Sequence, residues 1–124
     1  QALANINDLL GMGGRLFIAV PNRESWDCLH YGPEWAAWDV PRHLSHFRSS
    51  DMEKLLAHCG LRIEEQHSMW FDALYVSLLS ERYRGRSGAR ALIQGLFSGM
   101  RSNWFGLVGS RPASSTVYVA KRSE

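Results

Sequence analysis

The sequence predicts an α/β fold, on three observations. Segments with apolar residues at helical spacing alternate with short strand-like runs, from Arg15 to Val20 and from Leu61 to Gln66. The chain closes on Thr116–Ala120, rich in the β-branched and aromatic types that strands favour. Its 124 residues, 45% apolar and 21% charged, suffice for one compact domain and not for two ordinary ones.

Each element follows from its residues. Leu3, Ile6, Leu9 and Leu10 give Ala2–Leu10 one apolar helical face, and Gly11, Gly13 and Gly14 end that helix. Arg15–Val20 is so apolar that it reads as a strand covered on both faces, stopped by Pro21, which has no N–H for a ladder. Residues Asn22 to Ser49 show no clean period and read as one long loop, rich in Trp, Tyr and His. Ser50-Asp51-Met52-Glu53 matches a capping box for the next helix, and Gly60 is its expected C′ residue. Leu61–Gln66 reads as a strand, and Trp70–Tyr83 returns to helical spacing. Arg84–Gly88 is a break. Ala89–Val108 is mildly apolar, with Gly95, Gly99 and Gly106 weakening any helix there.

Charge and cysteine usage bound the partners. A net charge of +2 singles out neither nucleic acid nor an anionic membrane, so no nucleic-acid partner is expected. No run of 18 apolar residues occurs, so stable membrane insertion is not expected either. Cys28 and Cys59 lie in dissimilar contexts without a disulfide pattern, which favours a reducing cytoplasm. The chain opens on Gln1 inside a helical stretch, as a processed or excised fragment would.

Three stretches in order carry a family resemblance. Gly13–Asn22 (GGRLFIAVPN) resembles the PGG–hydrophobic strand–PN passage at the fifth strand of class I S-adenosylmethionine-dependent methyltransferases, with Met12 where that family usually has proline. Trp35–Phe47 (WAAWDVPRHLSHF) is similar to the W…D-x-P-x-H-L-x-x-F pattern of a broad bacterial group of small-molecule methyltransferases. Leu55–Ile63 (LLAHCGLRI) resembles the helix-to-strand step that follows it there. Beyond Tyr83 the likeness thins to the closing strand.

The resemblance implies the C-terminal part of a Rossmann-like fold, with residues 1–124 forming one domain and the cofactor-binding N-terminal half absent. The sheet it implies is three-stranded and mixed, with flanking helices. Residues 15–20, 116–120 and 61–66 lie side by side in that order, the last strand antiparallel between the other two. The glycines of Gly11–Gly14 precede a strand, whereas the cofactor turn of such folds follows one, so a helix-ending turn is the better reading. S-adenosylmethionine is then held mainly by the missing half, and the fragment alone is expected to be inactive.

The functional expectations centre on the long loop, because ligands of open α/β sheets bind beyond the carboxyl ends of the strands. His43 is the candidate base, since an acceptor must lose a proton as it is methylated and a neutral imidazole can take it. The alternative is a histidine that hydrogen-bonds the loop backbone. Asn22, Tyr31, Trp35, Trp38, Asp39, Arg42 and His46 are the candidate acceptor-binding residues; each Trp could equally serve only to pack the loop. Cys28, His30, His43 and His46 are acceptable zinc ligands, but no C-x-x-C pair anchors them, so no metal is expected. The cluster Arg82, Arg84, Arg86 and Arg90 could touch phosphates or anionic lipid, though solvated surface is the better reading. The apolar residues between Leu92 and Val108 could cover an acceptor pocket or rest on a membrane surface, though core packing is the better reading.

The first function these features support is the acceptor side of a methyltransferase acting on a small molecule. The second is a non-catalytic module that associates through the Trp-rich loop and an exposed strand edge. On that reading Arg15–Val20 is an apolar edge that invites pairing, and a homodimer through it is expected unless the N-terminal helix covers it.

Overall fold

The computed structural model describes residues 2–39 and 45–123. Among the described residues, five α-helices and three strands follow in the order α1 (Ala2–Leu9), β1 (Arg15–Pro21), α2 (Trp26–Tyr31), α3 (Ser49–His58), β2 (Leu61–Ser68), α4 (Trp70–Tyr83), α5 (Gly88–Leu107) and β3 (Ser115–Arg122). Two short 3-10 turns, Gly32–Glu34 and Ala36–Trp38, lie between α2 and α3.

The sheet has the order β1-β3-β2, and β3 is antiparallel to both neighbours. Its register runs from Arg15↔Lys121 to Pro21↔Ser115 on one side and from Leu61↔Arg122 to Ser68↔Thr116 on the other. A bulge between Ile63 and Glu65 leaves Glu64 without a cross-strand partner. Its carboxylate reaches Arg15 Nε at 3.0 Å and Lys121 Nζ at 2.9 Å. The hydrogen bond from Lys121, opposed by partial desolvation and aided by the Arg15 charge, holds that carboxyl below its ordinary value.

One face of the sheet carries the main core. Leu16, Ile18 and Val20 of β1 and Ile63 of β2 pack with Leu61, Tyr118 and Ala120 against Met52 and Leu56 of α3 and Leu3 of α1. Leu56 and Leu61 are fully buried. A second core joins α2 and the 3-10 turns to α4, through Cys28, Tyr31, Trp35, Ala36, Ala37 and Val76. Positive φ at Gly60 (74°) ends α3 as the sequence suggests, while Gly13 (75°) sits in the turn between the end of α1 and β1.

Several expectations are corrected. β1 is covered on one face only: its residues alternate, and Phe17 is 65% exposed opposite Val119. The stretch from Asn22 to Ser49 is no featureless loop, since Ser25 N-caps α2 by accepting from the Cys28 N–H at 3.4 Å. Helix α3 starts at Ser49, not after Ser50, because Asp51 is the residue whose carboxylate takes the Arg48 N–H, at 3.0 Å. α5 runs unbroken for 20 residues through its glycines. Gly95 and Gly99 are packing residues: an added Cβ would stand 2.7 Å from Leu78 Cα and 2.7 Å from Leu74 Cα respectively. Leu92, Ile93, Leu96, Phe97, Trp104, Leu107 and Val108 are exposed on that helix, not core.

Candidate functional site

β1 delivers the chain at Asn22, where one buried side chain fixes the exit. Asn22 Nδ2 donates to Ser49 Oγ at 3.1 Å, its Oδ1 accepts from the Glu24 N–H at 3.0 Å, and its own N–H donates to Ser114 O at 2.8 Å. Tyr118 Oη donates to the same Ser49 hydroxyl at 3.2 Å. The strand end, the start of α3 and the lead into β3 are thereby locked together.

Asp27, in the first turn of α2, is the next fixed point. Its side chain is fully buried. Oδ2 accepts from Trp35 Nε1 at 2.7 Å and Ser114 Oγ at 2.6 Å, and Oδ1 accepts from Ser102 Oγ at 2.6 Å. A buried carboxylate is tolerable only with such a set of donors. These bonds bind α2, the aromatic segment, α5 and the entry to β3 into one frame.

Around this frame the structure gathers two groups. In the first, the Trp35 and Trp38 rings meet edge-on at 5.1 Å, and the Trp38 and His46 rings at 4.7 Å. Trp38 Nε1 donates to Gly32 O at 2.8 Å, and His46 Nε2 lies 2.7 Å from Trp38 O. A carbonyl only accepts, so Nε2 carries the hydrogen of that bond and the neutral ring keeps its lone pair at Nδ1. Asp39 follows directly at φ 41° and ψ 46°, the non-glycine residue with positive φ among the described residues. Left-handed backbone of this kind concentrates at binding sites.

The second group lines a cavity of about 330 Å³ bounded by His30, Glu81, Arg84, Arg86, Gln94 and Ser98, among others. Tyr31 Oη donates to Glu81 Oε1 at 2.8 Å, and Arg86 donates to Glu81 Oε2 at 2.6 Å. Burial pushes the Glu81 carboxyl up, but the hydrogen bonds from Arg86 and Tyr31 and the nearby Arg charges outweigh it and hold the carboxyl down. Arg84 donates to His30 O at 2.6 Å and stands 4.6 Å over the Tyr31 ring. Desolvation first, and then the Arg84 charge, lowers the His30 imidazole from 6.5, so it faces the cavity neutral at pH 7. Burial pushes the Tyr31 phenol up to about 12.

Of the residues singled out from sequence, Tyr31, Trp35, Trp38, Asp39 and His46 therefore fall in one neighbourhood, and Asn22 stands at its base. His43 and Arg42 lie outside the described residues. Tyr31 and Trp35 are 1% exposed, with their polar atoms bound internally. Cys28 is buried in the apolar cluster, its thiol pushed up to about 12 by burial and then by the Asp27 charge. Among the described residues no three His, Cys, Asp or Glu are grouped to hold a metal. Two of the four arginines read as surface are structural, Arg84 on Tyr31 and Arg86 on Glu81.

Sequence reasoning missed Asp27, Glu81 and the cavity role of His30. Ser25-x-Asp27 is a helix start with an acidic first turn, a signal that places Asp27 on α2. Nothing local announces Glu81, which meets Tyr31 across 50 residues.

The family resemblance implies S-adenosylmethionine as cofactor. The Gly11–Gly14 turn closes with a Gly14 N–H to Gly11 O bond of 2.9 Å, beside a cavity of about 280 Å³ that Lys121 and Arg122 share. It sits at the start of β1, the opposite end from Asn22, and no acidic side chain lines it to hold a ribose. The Gly11–Gly14 turn does not form a cradle for S-adenosylmethionine.

A family model described as a methyltransferase domain matches residues 1–66, just over half of the 124-residue chain. No curated protein and no solved structure matches it.

Proposed function

The chain belongs to the methyltransferase-domain family, and we propose that it forms the acceptor side of an S-adenosylmethionine-dependent methyltransferase acting on a small molecule. The observation that carries this reading is the aromatic and histidine cluster that follows the carboxyl end of β1, with a cavity of about 330 Å³ at the far end of α2. That is the end at which open α/β sheets bind ligands, and the volume suits a small molecule. The cofactor is assigned to polypeptide outside the described residues.

In this reading the aromatic segment from Trp26 to Trp38 positions the acceptor and excludes water. An acceptor must shed a proton as it is methylated. We assign that proton to His43, with Asp39 and Arg42 orienting the base or the acceptor. His30, held neutral in the cavity, is the second group able to accept one.

The test is methyl transfer by a protein that contains this chain together with a cofactor-binding region, supplied with methyl-labelled S-adenosylmethionine and a small-molecule extract. Label is expected in the small-molecule fraction. Replacing His43 by Ala is expected to lower kcat roughly 100-fold or more with KM little changed. Label confined to macromolecules would overturn the acceptor class, and an unchanged kcat would remove His43 from the role of base.

A further inference from the structure

The α4–α5 hairpin is built with its polarity reversed for a helix pair that only covers a core. The buried face of α5 is small and partly polar: Ala91, Gly95, Ser98, Gly99 and Ser102. Its large apolar side chains point outward. Ile93, Phe97, Met100, Trp104 and Leu107 recur at i, i+4, i+7, i+11 and i+14 and are 61–70% exposed, and Phe71 of α4 beside them is 84% exposed. The stripe runs from Ile93 to the end of α5 at Leu107, roughly 22 Å along the helix. It is far larger than the scattered apolar exposure of an ordinary surface.

The charges around it select an occupant. From Arg82 to Ser123 the chain carries eight Lys or Arg and no Asp or Glu, although the whole chain is only +2. Arg82 shares the outer face of α4 with Phe71 and Tyr75, and Arg90 and Arg101 border the apolar stripe of α5. All three are exposed and have no carboxylate partner among the described residues. Two copies joined through this face would bring arginines together with no acidic residue on α5 to pair them. An anionic surface meets the same arginines favourably. Neither helix is long and apolar enough to cross a membrane.

We propose that the α4–α5 hairpin is a docking face for an anionic lipid bilayer, α5 lying flat with Phe97, Met100 and Trp104 at the acyl boundary and Arg82, Arg90 and Arg101 among the headgroup phosphates. Apolar area and basic flanks together give such helices their affinity. Ile93 and Phe97 also border the cavity at His30, but the docking face does not rest on the methyl-transfer reading.

The test is co-sedimentation of the 124-residue chain with vesicles of phosphatidylcholine alone and of phosphatidylcholine with phosphatidylglycerol. Binding to the anionic vesicles is expected, weakening as salt rises. The double variant Arg82→Gln/Arg90→Gln is expected to bind about thirtyfold more weakly. Phe97→Ser/Trp104→Ser is expected to lose binding; both side chains are exposed, so the fold survives, as circular dichroism will confirm. No binding to anionic vesicles, or equal affinity in the arginine variant, overturns the proposal. A dimer by light scattering that Phe97→Ser/Trp104→Ser dissociates also overturns it, because a second copy then occupies the face.

Discussion

Asp27 holds the frame through a single carboxylate, whose three donors come from Trp35, Ser102 and Ser114. Asp27→Ala leaves one indole N–H and two hydroxyls buried without an acceptor. It is expected to cost about 3–5 kcal/mol, read as a fall in the urea midpoint. Asp27→Asn keeps the shape and part of the accepting capacity, so its loss is expected to be smaller. An unchanged midpoint in Asp27→Ala would show that the three bonds contribute nothing net. A second residue-scale consequence concerns alkaline pH. Burial raises Cys28 from 9.0 and Tyr31 from 10.0, each to about 12. Between pH 9 and 12 the unfolded chain therefore releases protons that the folded chain retains, and stability falls as pH rises. The stabilisation from both groups is fully present below pH 9. Chemical denaturation across this window should show the decline, and the double variant Cys28→Ala/Tyr31→Phe should flatten it.

At the scale of elements, α5 depends on its glycines for proximity. A methyl group at Gly99 would lie 2.7 Å from Leu74 Cα and 2.9 Å from Ala73 O, both backbone atoms that cannot swing aside. Gly99→Ala would gain about 1 kcal/mol in an isolated helix, yet is expected to destabilise the protein by about 1–3 kcal/mol because the helices must separate. Gly106→Ala, which meets the Trp70 ring at 3.1 Å, is expected to cost less. Thermal unfolding of both variants checks the order; a more stable Gly99→Ala contradicts it. The same glycines show where sequence reading stops. Their cost to a helix is local and legible, but the partner helix that needs them is not. The three strands were legible in their apolar and β-branched runs, whereas their order was implied by the family resemblance alone. The outward turn of Phe17 was not, since an apolar run carries no label for which face lacks a cover. Helix α2 has six residues, too few to show a period. The aromatic neighbourhood of the site could be read from composition, whereas the links from Asp27 to Ser102 and Ser114 span 75 and 87 residues and leave no local trace.

Across the whole molecule, the two ends of β1 have different equipment. The glycine turn at its start opens on Lys121 and Arg122. The carboxyl end leads to α2, the tryptophan cluster and the cavity bearing a neutral histidine, a bound glutamate and two arginines. One face of the sheet is packed by α1 and α3, while Phe17 on the other stands open. This distribution is the one expected if, as proposed, the chain contributes the acceptor side of methyl transfer and the cofactor is held elsewhere. Calorimetric titration of S-adenosylhomocysteine into the 124-residue chain tests that division most directly. No binding is expected in the micromolar range, and a micromolar Kd at one site per chain would contradict that division.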